Sequence, residues 1–150
     1  MAPNEKGMIM MACAEKFGAG AVRNMLRHNR REIEHSSNHD IDPKRLERDY
    51  ILSPDRGMTE YDYFLQRKSE LYCYNRNDVK VMVGWIVTAP QDLDPERYDN
   101  FFYATYNFLA NRYGEENVVQ AIVHDDEGGQ PHLHFLFRAR CRRPEARAGL

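Results

Sequence analysis

No stretch of the sequence approaches the roughly 20 uninterrupted apolar residues that cross a bilayer, so a membrane-spanning helix is excluded and a soluble protein is expected. Cysteine is scarce. Cys13, Cys73 and Cys141 form an odd set with neither CxxC nor metal-ligand spacing, which fits a reducing cytoplasm better than a disulfide framework. Neither sign of charge dominates: 21 Lys and Arg face 23 Asp and Glu, a net charge of −2, which excludes the global pull toward polyanions of a histone-like protein. With its Ala-Cys-Ala end discounted, the segment from Met8 to Ala14 is too short for the apolar core of a secretory signal, and it reads as a buried strand. There is no internal repeat and no linker between domains.

What the chain does have is the balance of one folded domain: 150 residues, 42% hydrophobic and 29% charged, with nine Tyr and seven Phe besides Trp85. After a strand over 7–14 and a break at Gly18-Ala19-Gly20, the spacing of Val22, Met25, Leu26 and Ile33 predicts an amphipathic helix from Ala21 that ends at Asp40-Ile41-Asp42-Pro43. A short extended piece follows through Tyr50-Ile51-Leu52. Thr59, with Asp62 three residues on, is read as the N-cap of a second helix running to about Tyr72. Val79 to Ala89 alternates as a strand. Asp94-Pro95 and Gly114 bracket a third helix, whose aromatic residues, Tyr103 and Tyr106 included, are read as core. Val118 to Val123 and His132 to Phe137, separated by Gly128-Gly129, form an antiparallel hairpin. The expected fold class is α+β, an antiparallel β-sheet with helices packed against it.

Half of the six histidines fall within eleven residues. Positions i and i+2 of a strand share a face, so His132 and His134 project together, and a hairpin brings His124 alongside them. Three imidazoles beside the acidic Asp125-Asp126-Glu127 make a divalent-metal site with open positions, suited to catalysis. On the first predicted helix, His28, Arg31 and His35 share a polar face, with His39 beyond them. Positive charge is local: seven Lys or Arg against five Asp or Glu from Arg23 to Arg48, and five Arg against one Glu from Arg138 onward. A phosphate-bearing partner handled with a metal fits both features.

The run His124-Asp125-Asp126-Glu127 followed by Pro131-His132-Leu133-His134 resembles the metal-binding signature of HUH endonucleases, and in particular that of MobV-type relaxases, the Pre/Mob plasmid recombination and mobilisation enzymes. Met25 to Arg31, Glu34 to Pro43, Asp78 to Thr88 and Phe108 to Asn117 resemble the same family, so the likeness spans about residues 7–137. It implies an HUH relaxase-like fold, with His124, His132 and His134 holding Mn²⁺ or Mg²⁺ and Glu127 orienting the site. It implies His28 as nucleophile and Arg31 as the arginine of an HNxR neighbourhood, with Tyr50 as the alternative nucleophile that other relaxase families point to. The motif departs from the family by one extra residue between Glu127 and Pro131.

The function so implied is metal-dependent, strand-specific nicking and joining of single-stranded or hairpin origin DNA in the bacterial cytoplasm, through a covalent protein–DNA link. Arg23, Arg27, Arg30, Lys44, Arg45 and Arg48 are the expected phosphate contacts on charge and position. Two other readings compete: a non-catalytic origin-binding module or autorepressor, and a metal-dependent phosphoesterase that forms no covalent intermediate. Residues 1–137 are assigned to the nuclease domain, in a truncated form, and 138–150 to a flexible Arg-rich tail. Homodimerisation would use regions the family carries beyond this chain.

Overall fold

The computed structural model describes residues 12–32, 49–70, 79–125 and 129–138. They form β1 (Ala12–Gly18), α1 (Ala19–Asn29), β2 (Tyr50–Ile51), α2 (Glu60–Glu70), β3 (Lys80–Thr88), α3 (Tyr98–Tyr113), β4 (Val118–His124) and β5 (His132–Arg138). The strands make one antiparallel sheet in the order β1-β3-β5-β4-β2. This is the α+β architecture expected, with a two-residue edge strand, β2, where the sequence shows only an extended piece.

Both faces of the sheet are covered, which is why the interior strand β4 is buried at every position. On one face α3 lays Phe102, Tyr106 and Leu109 over Ala121, Val123, Leu133, Phe135 and Phe137. On the other, Val22 and Leu26 of α1 and Phe64 of α2 meet Phe17, Met82, Val119 and Leu136. Cross-strand partners share a face, so the pairings His124↔His132 and Ile122↔His134 put all three histidines on the α1 side. Arg138, which the sequence assigns to the tail, is the last residue of β5, fully buried, and donates from Nη1 to the Val81 carbonyl at 2.6 Å.

Local chemistry sets several boundaries where the sequence puts them. Thr59 Oγ1 accepts from the Asp62 amide at 3.1 Å and starts α2. Asp94 Oδ1 accepts from the Glu96 amide at 3.1 Å, Pro95 opens the 3-10 turn that leads into α3, and Gly114 stops α3 at φ 91°. The N-terminal boundaries differ. β1 runs to Gly18 and α1 begins at once at Ala19, because Glu15, Lys16 and Phe17 pair with β3 and Gly18 caps the helix instead of breaking the chain. The strand expected over 7–14 is described only from Ala12, and Ala12 to Lys16 are exposed rather than buried, since β1 is a sheet edge.

The larger correction concerns α1, which ends at Asn29 and not near Asp40. The Arg31 amide donates to the His28 carbonyl at 3.0 Å and the Glu32 amide to the Arg27 carbonyl at 2.9 Å, the paired bonds of a Schellman turn. Arg31 occupies the left-handed position of that turn at φ 57°, a conformation a non-glycine residue adopts at a cost of about 1–3 kcal/mol. His28 and Arg31 therefore do not lie one above the other on a helix. His35 and His39 lie outside the described residues.

Close packing of the Phe17 and Leu136 side chains over β3 requires Gly84. A Cβ there would meet Leu136 Cδ2 at 2.5 Å and Phe17 Cε2 at 3.1 Å, and Leu136 is itself buried. Gly84→Ala is expected to lower stability by about 1–3 kcal/mol through overpacking, read as a reduced midpoint in urea with an unchanged slope; an unchanged midpoint would show that Leu136 yields freely.

Candidate metal centre and active site

His124, His132 and His134 converge at the connected end of the β4–β5 hairpin, where β4 finishes and β5 begins. One ring nitrogen from each lies within 4.8 Å of the others, and the ring centroids stand 5.5, 4.5 and 4.9 Å apart. The fully buried His124 is held from behind: its Nε2 lies 2.7 Å from the Asn29 carbonyl oxygen. A carbonyl can only accept, so Nε2 carries the hydrogen and Nδ1 keeps the lone pair that a metal needs. His134 offers a buried Nε2 with no hydrogen-bond partner among the described residues. Burial, and then the neighbouring His124, His132, Arg31 and His28, lower its pKa well below the ordinary 6.5, so it stays a neutral ligand. A buried, deprotonated imidazole nitrogen in a three-nitrogen cluster is what a divalent cation with open positions accepts.

The end of α1 closes the site from above. Its carbonyls carry the negative end of the helix dipole, which favours cations at this position. His28 is partly buried and shares the wall of a cavity of about 210 Å³ with His134. Arg31 stands near enough to help hold the His134 proton off. Arg30 turns the opposite way and binds Glu60 of α2 through two bonds, Nε to Oε1 at 2.6 Å and Nη2 to Oε2 at 2.8 Å. Gln120, fully buried on β4, donates from Nε2 to the Leu26 carbonyl at 3.1 Å and to Glu60 Oε1 at 2.9 Å, and accepts from Asn29 Nδ2 at 3.0 Å. This network of Arg30, Glu60, Gln120 and Asn29 holds the helix end over the candidate metal histidines.

The other sequence candidates are more dispersed. Tyr50 pairs with Val123, so its side chain lies on the α3 face, opposite the histidines, and its hydroxyl donates to Asp99 Oδ1 at 3.0 Å. Burial, then the bond to Asp99, push its phenol pKa far up, which disfavours the phenolate. Arg23 and Arg27 are exposed on α1 and line a groove with Tyr61 and Asp62, and Arg23 lies over the Tyr61 ring at 5.5 Å. Glu127, Lys44, Arg45 and Arg48 lie outside the described residues. Of the α3 tyrosines read as core, Tyr106 is buried but Tyr103 is 60% exposed.

Sequence reasoning missed Gln120, Asn29 and Glu60. One signal was available: Gln120 is the single amide in the otherwise apolar run Val118 to Val123. Arg56 was missed as well. Its guanidinium donates to the Val118 and Glu115 carbonyls at 2.6 and 2.7 Å and stacks 3.8 Å from the Tyr63 ring centre, tying the β2–α2 segment to the start of β4.

Comparison with known proteins gives a consistent result. The Mob/Pre family model, described as plasmid recombination enzyme, matches residues 7–142. A plasmid recombination enzyme of Streptococcus agalactiae is 34% identical over 135 residues, 84% of this chain and 27% of that protein. A type 2 plasmid recombination enzyme of Staphylococcus aureus strain Mu50 is 31% identical over 131 residues, 81% of this chain and 30% of its own length. The chain thus spans about 30% of the length of these relatives. The Mn-bound MobM relaxase domain with pMV158 oriT DNA, solved at pH 6.8, superposes with a TM-score of 0.72 at 34% identity, covering 85% of this chain and 69% of that one. The same relaxase domain with a 26-nucleotide oriT DNA gives 0.61 at 27% identity.

Two outcomes are expected of the histidine cluster. Mn²⁺ at a hundredfold excess over its Kd should stabilise the fold by about 2.7 kcal/mol, read as a rise in Tm that His134→Ala abolishes. With metal chelated, the unfolded chain binds a proton at this imidazole below about pH 6.5 while the folded one does not. Stability should then fall with decreasing pH, by up to about 1.4 kcal/mol per unit, and His134→Gln should flatten that slope; an equal slope in the variant would refute the assignment.

Proposed function

Because the chain belongs to the plasmid recombination enzyme family, we propose that it is a relaxase: it nicks one strand of single-stranded or hairpin origin DNA and rejoins it, in the bacterial cytoplasm, using Mn²⁺ or Mg²⁺. The observation that carries this reading is that His28 and the metal-ligating His134 wall one cavity, which puts a nucleophile beside a cation site. The Mn-bound, oriT-bound MobM domains of the same fold support it. We assign residues 1–137 to the nuclease domain. No helix among the described residues is long and apolar enough to cross a membrane.

His124, His132 and His134 would hold the cation, with Glu127 orienting the set. Bound there, the ion would polarise the non-bridging oxygens of the scissile phosphate and stabilise the charge that develops on them. The His28 ring attacks phosphorus through a nitrogen lone pair. A P–N bond forms as the bond to the 3′ oxygen breaks, and loss of the ring N–H proton balances the charge of the departing oxygen. The phosphoramidate keeps the energy of the cleaved bond, so the reverse attack by a 3′ hydroxyl reseals the strand. Arg31 clamps the phosphate or holds the nucleophile in line. Arg23 and Arg27 on the outer face of α1, with Lys44, Arg45 and Arg48, supply phosphate contacts along the strand. Arg30, bound to Glu60, contributes to that surface through its remaining donor. His28 is favoured over Tyr50 because the Tyr50 hydroxyl is occupied by Asp99 on the opposite face of the sheet.

The test is covalent capture. Labelled single-stranded oriT oligonucleotides of Mob/Pre plasmids, that of pMV158 among them, are incubated with the protein in Mn²⁺ or EDTA and resolved on a denaturing gel. A Mn²⁺-dependent, acid-labile adduct is expected, lost by roughly a thousandfold or more in His28→Ala and retained in Tyr50→Phe. An acid-stable adduct that survives in His28→Ala would move the nucleophile to Tyr50. Cleavage with no adduct would make the protein a phosphoesterase, and binding with neither would make it an origin-binding module.

A further inference from the structure

The hydrogen bonds around Gln120 determine which end of the Asn29 side chain faces where. Gln120 Nε2 lies between the Leu26 carbonyl at 3.1 Å and the Glu60 carboxylate at 2.9 Å, and both of these can only accept. The Gln120 oxygen must therefore be the atom that meets Asn29, and Asn29 must present its Nδ2, at 3.0 Å. That leaves Asn29 Oδ1 as a pure acceptor. Asn29 is 1% exposed, and its Oδ1 has no hydrogen-bond partner among the described residues. A buried acceptor left in this state costs about 1–3 kcal/mol, so its retention calls for a donor that arrives from outside.

Asn29 borders two cavities, one of about 280 Å³ with Arg31, Asp49 and Tyr50 and one of about 210 Å³ with His28 and His134. The second adjoins the proposed nucleophile, and apart from Glu15 its remaining wall is mostly apolar, with Phe17, Met25, Ile86 and Leu136. At roughly 30 Å³ per water the space holds about seven waters, enough for one planar heterocycle. A phosphate does not suit it, because a carbonyl oxygen repels the phosphate oxygens and apolar walls cannot replace their solvation. A metal-bound water would satisfy Oδ1 but would leave the apolar surface unoccupied. A nucleobase meets both requirements: its faces pack on the apolar walls, and an exocyclic amino group, standing out from the ring edge, donates to Oδ1.

We infer that Asn29 is a specificity-determining residue: its Oδ1 accepts from the amino group of the nucleobase next to the scissile phosphate, an adenine, cytosine or guanine, seated in the cavity beside His28. This rests on the nicking reading above and adds to it a recognised chemical group. The Gln120 and Glu60 side chains are positioning residues for that acceptor, since they force the amide to turn its oxygen outward.

The experiment compares the origin oligonucleotide this protein cuts best with versions in which a single amino group is deleted at either nucleotide flanking the nick: inosine for dG, purine deoxyriboside for dA, pyrimidin-2-one for dC. Unmodified protein is expected to form adduct roughly tenfold more slowly on one of these analogues, with the other flank tolerant. Asn29→Leu should cut the natural and the analogue strand at equal rates while keeping its Mn²⁺-induced rise in Tm, because a variant that has lost the acceptor cannot sense the donor. The proposal is overturned if the unmodified protein treats both analogues within twofold of the natural strand, or if Asn29→Leu still discriminates. The same comparison by fluorescence anisotropy reads base recognition without any nick. A protein that discriminates in binding but forms no adduct would uphold Asn29 and refute the nicking chemistry.

Discussion

One hydrogen bond joins the two halves of the site: His124 Nε2 to the carbonyl oxygen of Asn29, 2.7 Å across 95 residues of sequence. His124 comes from the sheet and is a metal candidate; Asn29 comes from the end of α1 and follows His28 directly. The bond fixes the tautomer of one and the position of the other in a single contact, so the candidate cation site and the proposed nucleophile cannot drift apart independently. It exists only because α1 stops where it does. Had the helix continued, the Asn29 carbonyl would have been occupied within the helix ladder. The Schellman turn after Asn29 frees that oxygen, and the buried His124 takes it.

The same requirement explains why the most polar network of the described residues lies between a helix and an apolar sheet. Gln120, Asn29 and Glu60 each give up solvation, and such groups stabilise a fold only when their donors and acceptors are matched. Arg30 completes the set by neutralising the Glu60 carboxylate that would otherwise face Gln120 alone; Glu60 in turn raises the affinity of the Arg30 guanidinium for its proton and, with the Leu26 carbonyl, locks the Gln120 amide. Apolar residues of similar volume would hold α1 against β4 as well. They would not hold it in one rotation, and rotation decides whether His28 faces His134 or solvent. The network is better understood as a device for orientation than as a source of stability.

How far all this can be read from the sequence depends on whether a signal is local. The period-2 spacing of His132 and His134, the turn glycines before them and the apolar run of β4 are local, and they yield the hairpin and its histidine cluster without further information. Thr59, Asp94-Pro95 and Gly114 are local as well, and the boundaries of α2 and α3 follow from them. The end of α1 is not. The apolar stripe Val22, Met25, Leu26 extends by coincidence to Ile33, whereas the partners that hold the helix end, Gln120 on the Asn29 side chain and His124 on its carbonyl, lie 91 and 95 residues away. The face on which Tyr50 sits is equally non-local, because the register of a two-residue strand against Val123 sets it.

Arg30 and Arg31 show what the turn accomplishes. They are chemically identical neighbours, and on a continuing helix their side chains would stand about 100° apart on one exposed surface, both free for DNA phosphates. The left-handed backbone at Arg31 reverses the chain between them. Arg30 is directed outward to Glu60, where it locks the helix end, while Arg31 lies near enough to the histidines for its charge to add to the burial that keeps His134 unprotonated. Glycine would relieve the strain at φ 57° but would supply no guanidinium. A strained backbone kept beside the candidate metal site supports the proposed role of Arg31 in the chemistry on grounds separate from any motif.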